Sequence, residues 1–283
     1  MKFLKPEPGF GRKHGDSMTI TRILRLPLAT RVGETDQLPD GRPAIQTKTV
    51  SVSPWGFKIP ITELEEDLTK YNLPDQFKES LREQITLTMD DMAADAFKLT
   101  PMKYVPTVAG YTLTNNGTPG TTATRNVGVQ DLRVIHDLMR SGNSAAAAPV
   151  PYYKGGKYVG ILSTNAARGI KNDPEYKDWQ APTDKGPLMD GRLRDVEGFM
   201  LYESNHVAAL ADLVGASTTT GEAIFFGADA AGLLEVRSPE IRMSIPDPHD
   251  LGRSRWLGWV GTLEAFHTWE TAALFRAIHI SST

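Results

Sequence analysis

The segment from Thr19 to Ser53 constrains the fold most, because it can form strands on both sides of a turn and yet has no strongly apolar face. Thr19–Leu28 and Ile45–Ser53 are rich in β-branched residues, and Gly33–Pro43 between them is rich in Gly, Asp and Pro. This order is typical of a long β-hairpin. In its second half Thr and Ser alternate with Gln, Lys and Val. Because an isolated two-stranded hairpin is marginally stable in water, we expect this one to lean on another surface, such as another chain.

A long amphipathic helix follows the hairpin. Thr62 and Glu65 match the capping-box pattern, which predicts a short helix that ends near Asn72. Pro74 suits the first turn of a second helix, and apolar residues recur at every third or fourth position as far as Leu99. A helix of about 25 residues would be roughly 38 Å long. The pattern therefore predicts a spine along an elongated subunit.

Charge is distributed unevenly along a chain whose net charge is −3. Residues 1–60 contain ten Lys and Arg against five Asp and Glu, whereas residues 61–99 contain four against ten. Such segments occur in ordinary solvated surfaces, in self-associating proteins and in nucleic-acid-binding arms. The net charge is not typical of a tight nucleic-acid binder, so we expect any contact with DNA to be weak and independent of base sequence.

The second half of the sequence alternates between strand and helix patterns. Tyr158–Leu162, Phe199–Tyr202 and Ala223–Phe226 read as strands, and Val207–Leu213 reads as a short helix. Alternation of this kind predicts an α/β lobe. The segment Arg255–Ile280 contains three Trp and two Phe among apolar neighbours, so we expect it to pack back onto the spine helix.

Signatures of enzymatic chemistry are missing from the sequence. The chain contains no Cys, which excludes disulfides, thiolate metal sites and cysteine nucleophiles. The phosphate-binding loop, the dinucleotide fingerprint, the zinc-protease motif and the nucleophile elbow do not occur. Glu264 and His267 resemble half of a di-metal motif, but a strand would place them on opposite faces. We therefore expect no catalytic residue, cofactor or metal, and the absence of an apolar run of about 18 residues predicts no membrane span.

Four motifs of the second half resemble one protein family. They are Asn172–Trp179, Gly191–Gly198, Phe199–Asn205 and Phe226–Ala230. Together with the order of the parts along the chain, these motifs are similar to the major capsid proteins of tailed bacteriophages, and more narrowly to the N-four-like podophage family. The resemblance implies an α+β, Hong-Kong-ninety-seven-like fold with an N-arm, an E-loop hairpin, a P-domain spine helix and an α/β A-domain.

The resemblance also implies a division of the chain into five segments. The segments are an N-terminal arm (1–18), an E-loop hairpin (19–60), a P-domain with the spine helix (61–130), an A-domain (131–240) and a C-terminal return to the P-domain core (241–283). The arm is rich in Gly, Pro and charge without a hydrophobic period, so we expect it to order only against a partner surface.

The implied function is structural and not catalytic. Such a protein self-assembles as hexamers and pentamers into the icosahedral head shell that encloses the phage dsDNA genome. The resemblance implies that assembly takes place in the host bacterial cytoplasm and that the protein becomes part of the virion. The resemblance implies a portal protein as partner, with separate scaffolding or decoration proteins as further candidates. Only about 18 residues precede the first predicted strand, so we expect a separate scaffold or none. The alternative is an encapsulin-like nanocompartment shell protein of the same fold.

We expect the hairpin of one subunit to lie across the spine or P-domain of its neighbour. Basic residues of the hairpin would then face acidic residues near the start of the spine, which favours specific contact between copies. Exposed ion pairs contribute only about 0.2 to 1 kcal/mol each, so a shell would use them through repetition. The basic candidates are Arg22, Arg25, Arg31, Arg42 and Lys48, and the acidic candidates are Glu65, Glu66, Asp67 and Glu79.

Overall fold

The computed structural model describes residues 3–7, 15–23, 26, 29, 31–33, 37–38, 40–43, 45–142, 149–180, 195–204, 221–246, 252–268 and 275–282. The strands in these ranges are β1 (Lys5–Pro6), β2 (Ser17–Ile23), β3 (Ile45–Ser51), β4 (Ser53–Thr62), β5 (Lys103–Thr107), β6 (Gly110–Thr114), β7 (Tyr158–Ser163), β8 (Phe199–Ser204), β9 (Gly221–Phe226), β10 (Ala231–Met243), β11 (Ser254–His267) and β12 (Ala277–Ser282). The helices are α1 (Glu63–Leu68), α2 (Leu73–Lys98), α3 (Val129–Ser141), α4 (Thr164–Asn172) and α5 (Pro174–Gln180). Among the helices described, none has the length and apolar character needed to cross a membrane.

The long helix α2 packs on a four-stranded sheet with the order β1-β10-β11-β4. Leu81 and Met89 of the helix are buried in one core with Leu257 and Trp259 of β11. The indole N–H of Trp259 also donates to Oε1 of Gln84 on the helix at 3.1 Å. The predicted spine is therefore confirmed as a single helix of 26 residues, and the aromatic return packs against it as expected.

The turn into the spine follows the predicted capping chemistry. The Thr62 hydroxyl accepts from the Glu65 N–H at 3.3 Å, and the Glu65 carboxylate accepts from the Thr62 N–H at 3.1 Å. These two bonds satisfy donors that the first turn of a helix leaves open. Helix α1 ends at Leu68, four residues before the end that the sequence predicts, and the chain then turns into α2.

The second sheet has six strands in the order β6-β5-β12-β9-β7-β8 and forms the α/β lobe. Strands β7 and β8 are parallel and lie side by side, and α4 and α5 fall between them in the sequence. One face of the sheet packs against α3 and α4 through residues such as Leu132 and Ile170. The opposite face presents Val159 and Ile224 to the core that contains the spine helix. The predicted α/β lobe is therefore confirmed and shares a core with the spine.

Two strands, β4 and β12, pair with strands that the prediction assigns to other segments of the chain. Strand β4, assigned mostly to the hairpin segment, pairs with β11 in the four-stranded sheet, and its Trp55, Ile59 and Ile61 side chains pack in the spine core. Strand β12, assigned to the return to the P-domain, lies between β5 and β9 at the centre of the six-stranded sheet. The predicted helix Val207–Leu213 and the first four residues of the Gly191–Gly198 motif lie outside the described residues.

The start of the N-terminal arm packs on its own subunit, which differs from the prediction. Phe3 packs against the rings of Tyr202 and Phe226, with ring centroids 5.3 and 5.5 Å away. Leu4 is buried in the spine core, and Lys5 lies 2.8 Å from Asp229 while its strand pairs with β10. The prediction that the arm orders only against a partner is therefore wrong for residues 3–7, because their apolar side chains pack into their own subunit.

Candidate assembly interface

The hairpin is an antiparallel pair of β2 and β3, in register from Ser17 opposite Ser51 to Ile23 opposite Ile45. Its base packs on its own subunit, where Val50 forms a small buried cluster with Leu234 and Phe266. The expectation that the hairpin leans on a surface outside itself is correct. The supporting surface at the base is the chain's own four-stranded sheet and not another subunit.

The distal part of the hairpin is different, because its large apolar side chains are exposed. Ile23 and Ile45 end the paired strands with most of their surfaces in solvent, and Leu26 beyond them is half exposed. Leu38, in the stretch that joins the strands, is 81% exposed. A group of exposed large apolar residues on a projecting hairpin indicates a contact surface, since isolated subunits seldom leave such surface uncovered.

Two of the basic candidates lie at the base of the hairpin and contact their own subunit. Lys48 Nζ donates to the main-chain carbonyl of His267 at 2.9 Å. Burial lowers the pKa of the Arg22 guanidinium to about 10, although the nearby carboxylates of Glu7 and Asp229 act in the opposite direction. Both side chains line a cavity of about 260 Å³ between the hairpin and β11. They therefore brace the hairpin against its own sheet, and their role between subunits stays a prediction.

The remaining basic candidates lie farther along the hairpin. Arg31 and Arg42 are exposed, as a contact with a neighbouring copy requires. Arg25 lies outside the described residues. The structure thus separates the basic candidates into a group at the braced base and a group at the exposed distal end.

The acidic candidates are divided in a similar way. Glu66 forms an ion pair with Arg255 of β11 in its own subunit. Glu65 closes the capping box of α1, although its side chain is exposed. Asp67 and Glu79 are exposed on α1 and α2. Asp67 and Glu79 are therefore the acids best placed for a neighbouring subunit.

Three exposed apolar side chains, which the charge pattern does not indicate, lie among these acids. Leu64 and Tyr71 are mostly exposed, and Leu68 is 77% exposed. Leu64 and Leu68 are four residues apart and so share one face of the helix. The four-residue spacing of these leucines is visible in the sequence, but a count of charged residues does not reveal it. The segment 63–71, called the α1 patch below, therefore combines acidic residues with an uncovered apolar strip.

The described residues contain no group of three or more His, Asp or Glu side chains that could hold a metal ion. Glu264 and His267 lie on strand β11, and residues three apart on a strand lie on opposite faces. His267 is buried at the end of that strand, whereas Glu264 is half-buried, and burial raises the pKa of its carboxyl.

Several solved structures of phage capsids have a similar fold. The chain is similar to the capsid protein of cyanophage Pam1, with a TM-score of 0.81 at 15% identity over 99% of this chain and 88% of that one. It is similar to the capsid of Ralstonia phage GP4, with a TM-score of 0.73 at 13% identity over 99% and 87%. It is also similar to the acid-stable capsid of Helicobacter pylori bacteriophage KHP30, with a TM-score of 0.71 at 16% identity over 96% of this chain and 86% of that one.

No family model and no curated protein matches the sequence. The narrower resemblance to N-four-like podophages therefore stays a prediction. The structural matches include nearly the whole chain, with both sheets and the spine helix. The chain has the Hong-Kong-ninety-seven-like fold of tailed-phage capsid proteins.

Proposed function

We propose that this chain is the major capsid protein of a tailed bacteriophage, which self-assembles into the icosahedral head shell around the phage dsDNA genome. The observation that carries this proposal is the match of 99% of the chain to the capsid protein of cyanophage Pam1 with a TM-score of 0.81. The protein is then part of the virion after assembly in the host cytoplasm. The phage capsids found in the comparisons favour this function over an encapsulin-like nanocompartment.

The proposed contact between subunits joins the distal hairpin of one copy to the α1 patch of another. The hairpin offers Leu38 with the basic residues Arg31 and Arg42, and the α1 patch offers Leu68 with the acidic residue Asp67. Apolar burial would supply most of the affinity. The opposite charges would select the partner surface and its orientation.

Further partners belong to the same proposal. Hexamers and pentamers of the chain would form the shell, a portal protein would occupy one vertex, and separate scaffolding or decoration proteins would bind transiently or on the surface. Contact with packaged DNA would be weak and directed at phosphates, since the net charge is −3.

The size and content of the particles test the function. The full chain is expressed with and without the other head genes of its phage, and fast-sedimenting material is examined by electron microscopy. We expect closed icosahedral shells that contain nuclease-protected DNA when the packaging proteins are present. Small shells that contain a cargo enzyme and no DNA would instead support the nanocompartment function.

Charge reversal at Asp67 in the α1 patch and at Glu79 on the neighbouring helix α2 tests the proposed contact. The variant Asp67→Lys with Glu79→Lys removes two exposed acids while leaving the capping box and the Glu66–Arg255 pair intact. We expect shell yield to fall at least about tenfold, because like charges would then face each other across a repeated contact. Gel filtration and circular dichroism should show a folded subunit.

The matched control is Asp137→Lys, which reverses an exposed acid on α3 outside the α1 patch. The control should assemble as the unmodified chain does. Normal shell yield from the double variant would rule out the contribution of these two acids to the contact. The same loss in the control would show that net charge, and not this contact, limits assembly.

A further inference from the structure

Strand β4 lies at one edge of the four-stranded sheet, and no other strand in the described part of the chain pairs with its outer side. The strand is ten residues long. An edge strand of this length presents a row of main-chain donors and acceptors, to which a strand of another chain can add. A second copy of the chain could therefore join there edge to edge, unless the edge is protected.

The hydrogen bonds between β4 and β11 show which main-chain groups of β4 face outward. The Glu63 N–H, one residue beyond the strand, donates to the Arg253 carbonyl at 2.9 Å. The register continues from there without a shift to Ser53 opposite Leu263. Opposite residues of an antiparallel pair alternate between hydrogen-bonded and non-hydrogen-bonded pairs. The odd-numbered residues of β4 therefore bind β11, and the even-numbered residues direct their N–H and C=O groups outward.

Three of the outward positions offer no free donor to an added strand. The outward positions are Pro54, Gly56, Lys58, Pro60 and Thr62. Pro54 and Pro60 have no N–H group. The Thr62 N–H donates to the Glu65 carboxylate at 3.1 Å, so the capping box of α1 uses this donor. Two outward amides then remain, and one of them belongs to Lys58, a residue type whose charge on an edge strand also disfavours strand addition.

The opposite edge of the sheet is protected in a different way. Strand β1 pairs with β10 at Gly232 and Leu233. Farther along β10, its pairing with β11 shifts register twice between Glu235 and Glu240, and Pro239 lies in the same stretch. Register shifts and proline both disfavour the addition of a strand. The two edges of this sheet therefore share one property, which makes an accidental origin of the β4 prolines a poor explanation.

We propose that Pro54, Pro60 and the capping box close the outer edge of β4 against strand addition by a second copy of the chain. A strand that added there would find donors at two of the five outward positions. Its hydrogen bonds would therefore not offset the entropy lost in ordering it. Copies of the chain are left to meet through side-chain surfaces, and this last step rests on the proposed function.

Restoring the missing donors tests the proposal. The variant Pro54→Thr with Pro60→Thr returns an amide to both positions and places a residue there that favours strands. The full chain is purified without other head proteins and followed by sedimentation over a series of concentrations. We expect the fraction of chain in irregular aggregates to rise at least about tenfold. In these aggregates the Gly56 amide should become protected from hydrogen exchange, and circular dichroism should show a folded chain.

Two controls separate the edge from the substitutions themselves. Ser53→Thr keeps the hydroxyl and changes a residue of β4 whose main chain binds β11. Pro174→Thr changes an exposed proline at the start of helix α5. Both controls should sediment as the unmodified chain does. An unchanged profile for the double variant, or equal aggregation of either control, would overturn the proposal.

Hydrogen exchange of the unmodified subunit decides if the double variant does not fold. Protection should alternate along β4, with slow exchange at Trp55 and Phe57 and fast exchange at Gly56 and Lys58. Equal protection at these four amides would show that the outer edge is already covered, and would overturn the proposal. Closed shells of the unmodified chain are counted separately by electron microscopy, so a failure of the proposed function is distinguishable from a failure of the edge.

Discussion

Asp131 shows how a single buried charge holds two parts of the lobe together. It is 1% exposed, and Arg125 donates to its two oxygens at 2.5 and 2.7 Å. The Tyr104 hydroxyl donates to it at 2.6 Å, and the Gly128 N–H donates at 2.9 Å at the start of α3. Burial, and next to it the carboxylate charge, raise the pKa of Tyr104 well above its ordinary value, because both disfavour the phenolate. The carboxylate thus joins α3 to β5.

Replacing the Asp131 carboxylate should destabilise the folded chain. Asp131→Ala leaves the Arg125 charge and the Tyr104 hydroxyl without their acceptor, so the free energy of unfolding should fall by about 3 kcal/mol. Urea denaturation followed by circular dichroism measures the change. Asp137→Ala, an exposed acid of the same helix, should change stability by less than about 0.5 kcal/mol. Equal losses in the two variants would show that the contacts of Asp131 contribute little.

At the scale of elements, local sequence patterns predict the helices well. They predict poorly which distant residues each strand packs against. The capping box at Thr62 and the apolar repeat of α2 lie within a few residues of the structure they specify. The support of the hairpin base comes from Leu234 and Phe266, far along the chain from Val50, so a local pattern cannot reveal it. The central position of β12 is hidden because its neighbours in the sheet, β5 and β9, lie far from it along the chain.

The spine helix provides a test at this scale. Leu81 is 1% exposed in the core beneath the helix, whereas Leu87 on the same helix is 44% exposed. Leu81→Ala should lower the free energy of unfolding by about 2 to 5 kcal/mol through lost burial and a residual cavity. Leu87→Ala should cost less than about 0.5 kcal/mol in the same denaturation experiment. Similar costs at the two positions would contradict the packing of this face on β11.

At the scale of the whole molecule, a subunit with its own cores still exposes several large apolar side chains. Two sheets share the spine helix, and residues 3–7 join them at a second place. The fold was predictable from the order of the parts and the motifs of the second half. The contact surface was predictable only in part, because the charges of Asp67 and Arg42 stand out in the sequence and the exposed Leu68 beside them does not.

The central claim is that copies of this chain complete one another in a closed container. A cryo-electron microscopy reconstruction of the particles that the full chain forms tests it most directly. We predict an icosahedral shell of hexamers and pentamers in which Leu38 of each hairpin is covered by the α1 patch of a neighbouring copy. Material that contains only separate subunits at every concentration, with the other head proteins present, would contradict the claim.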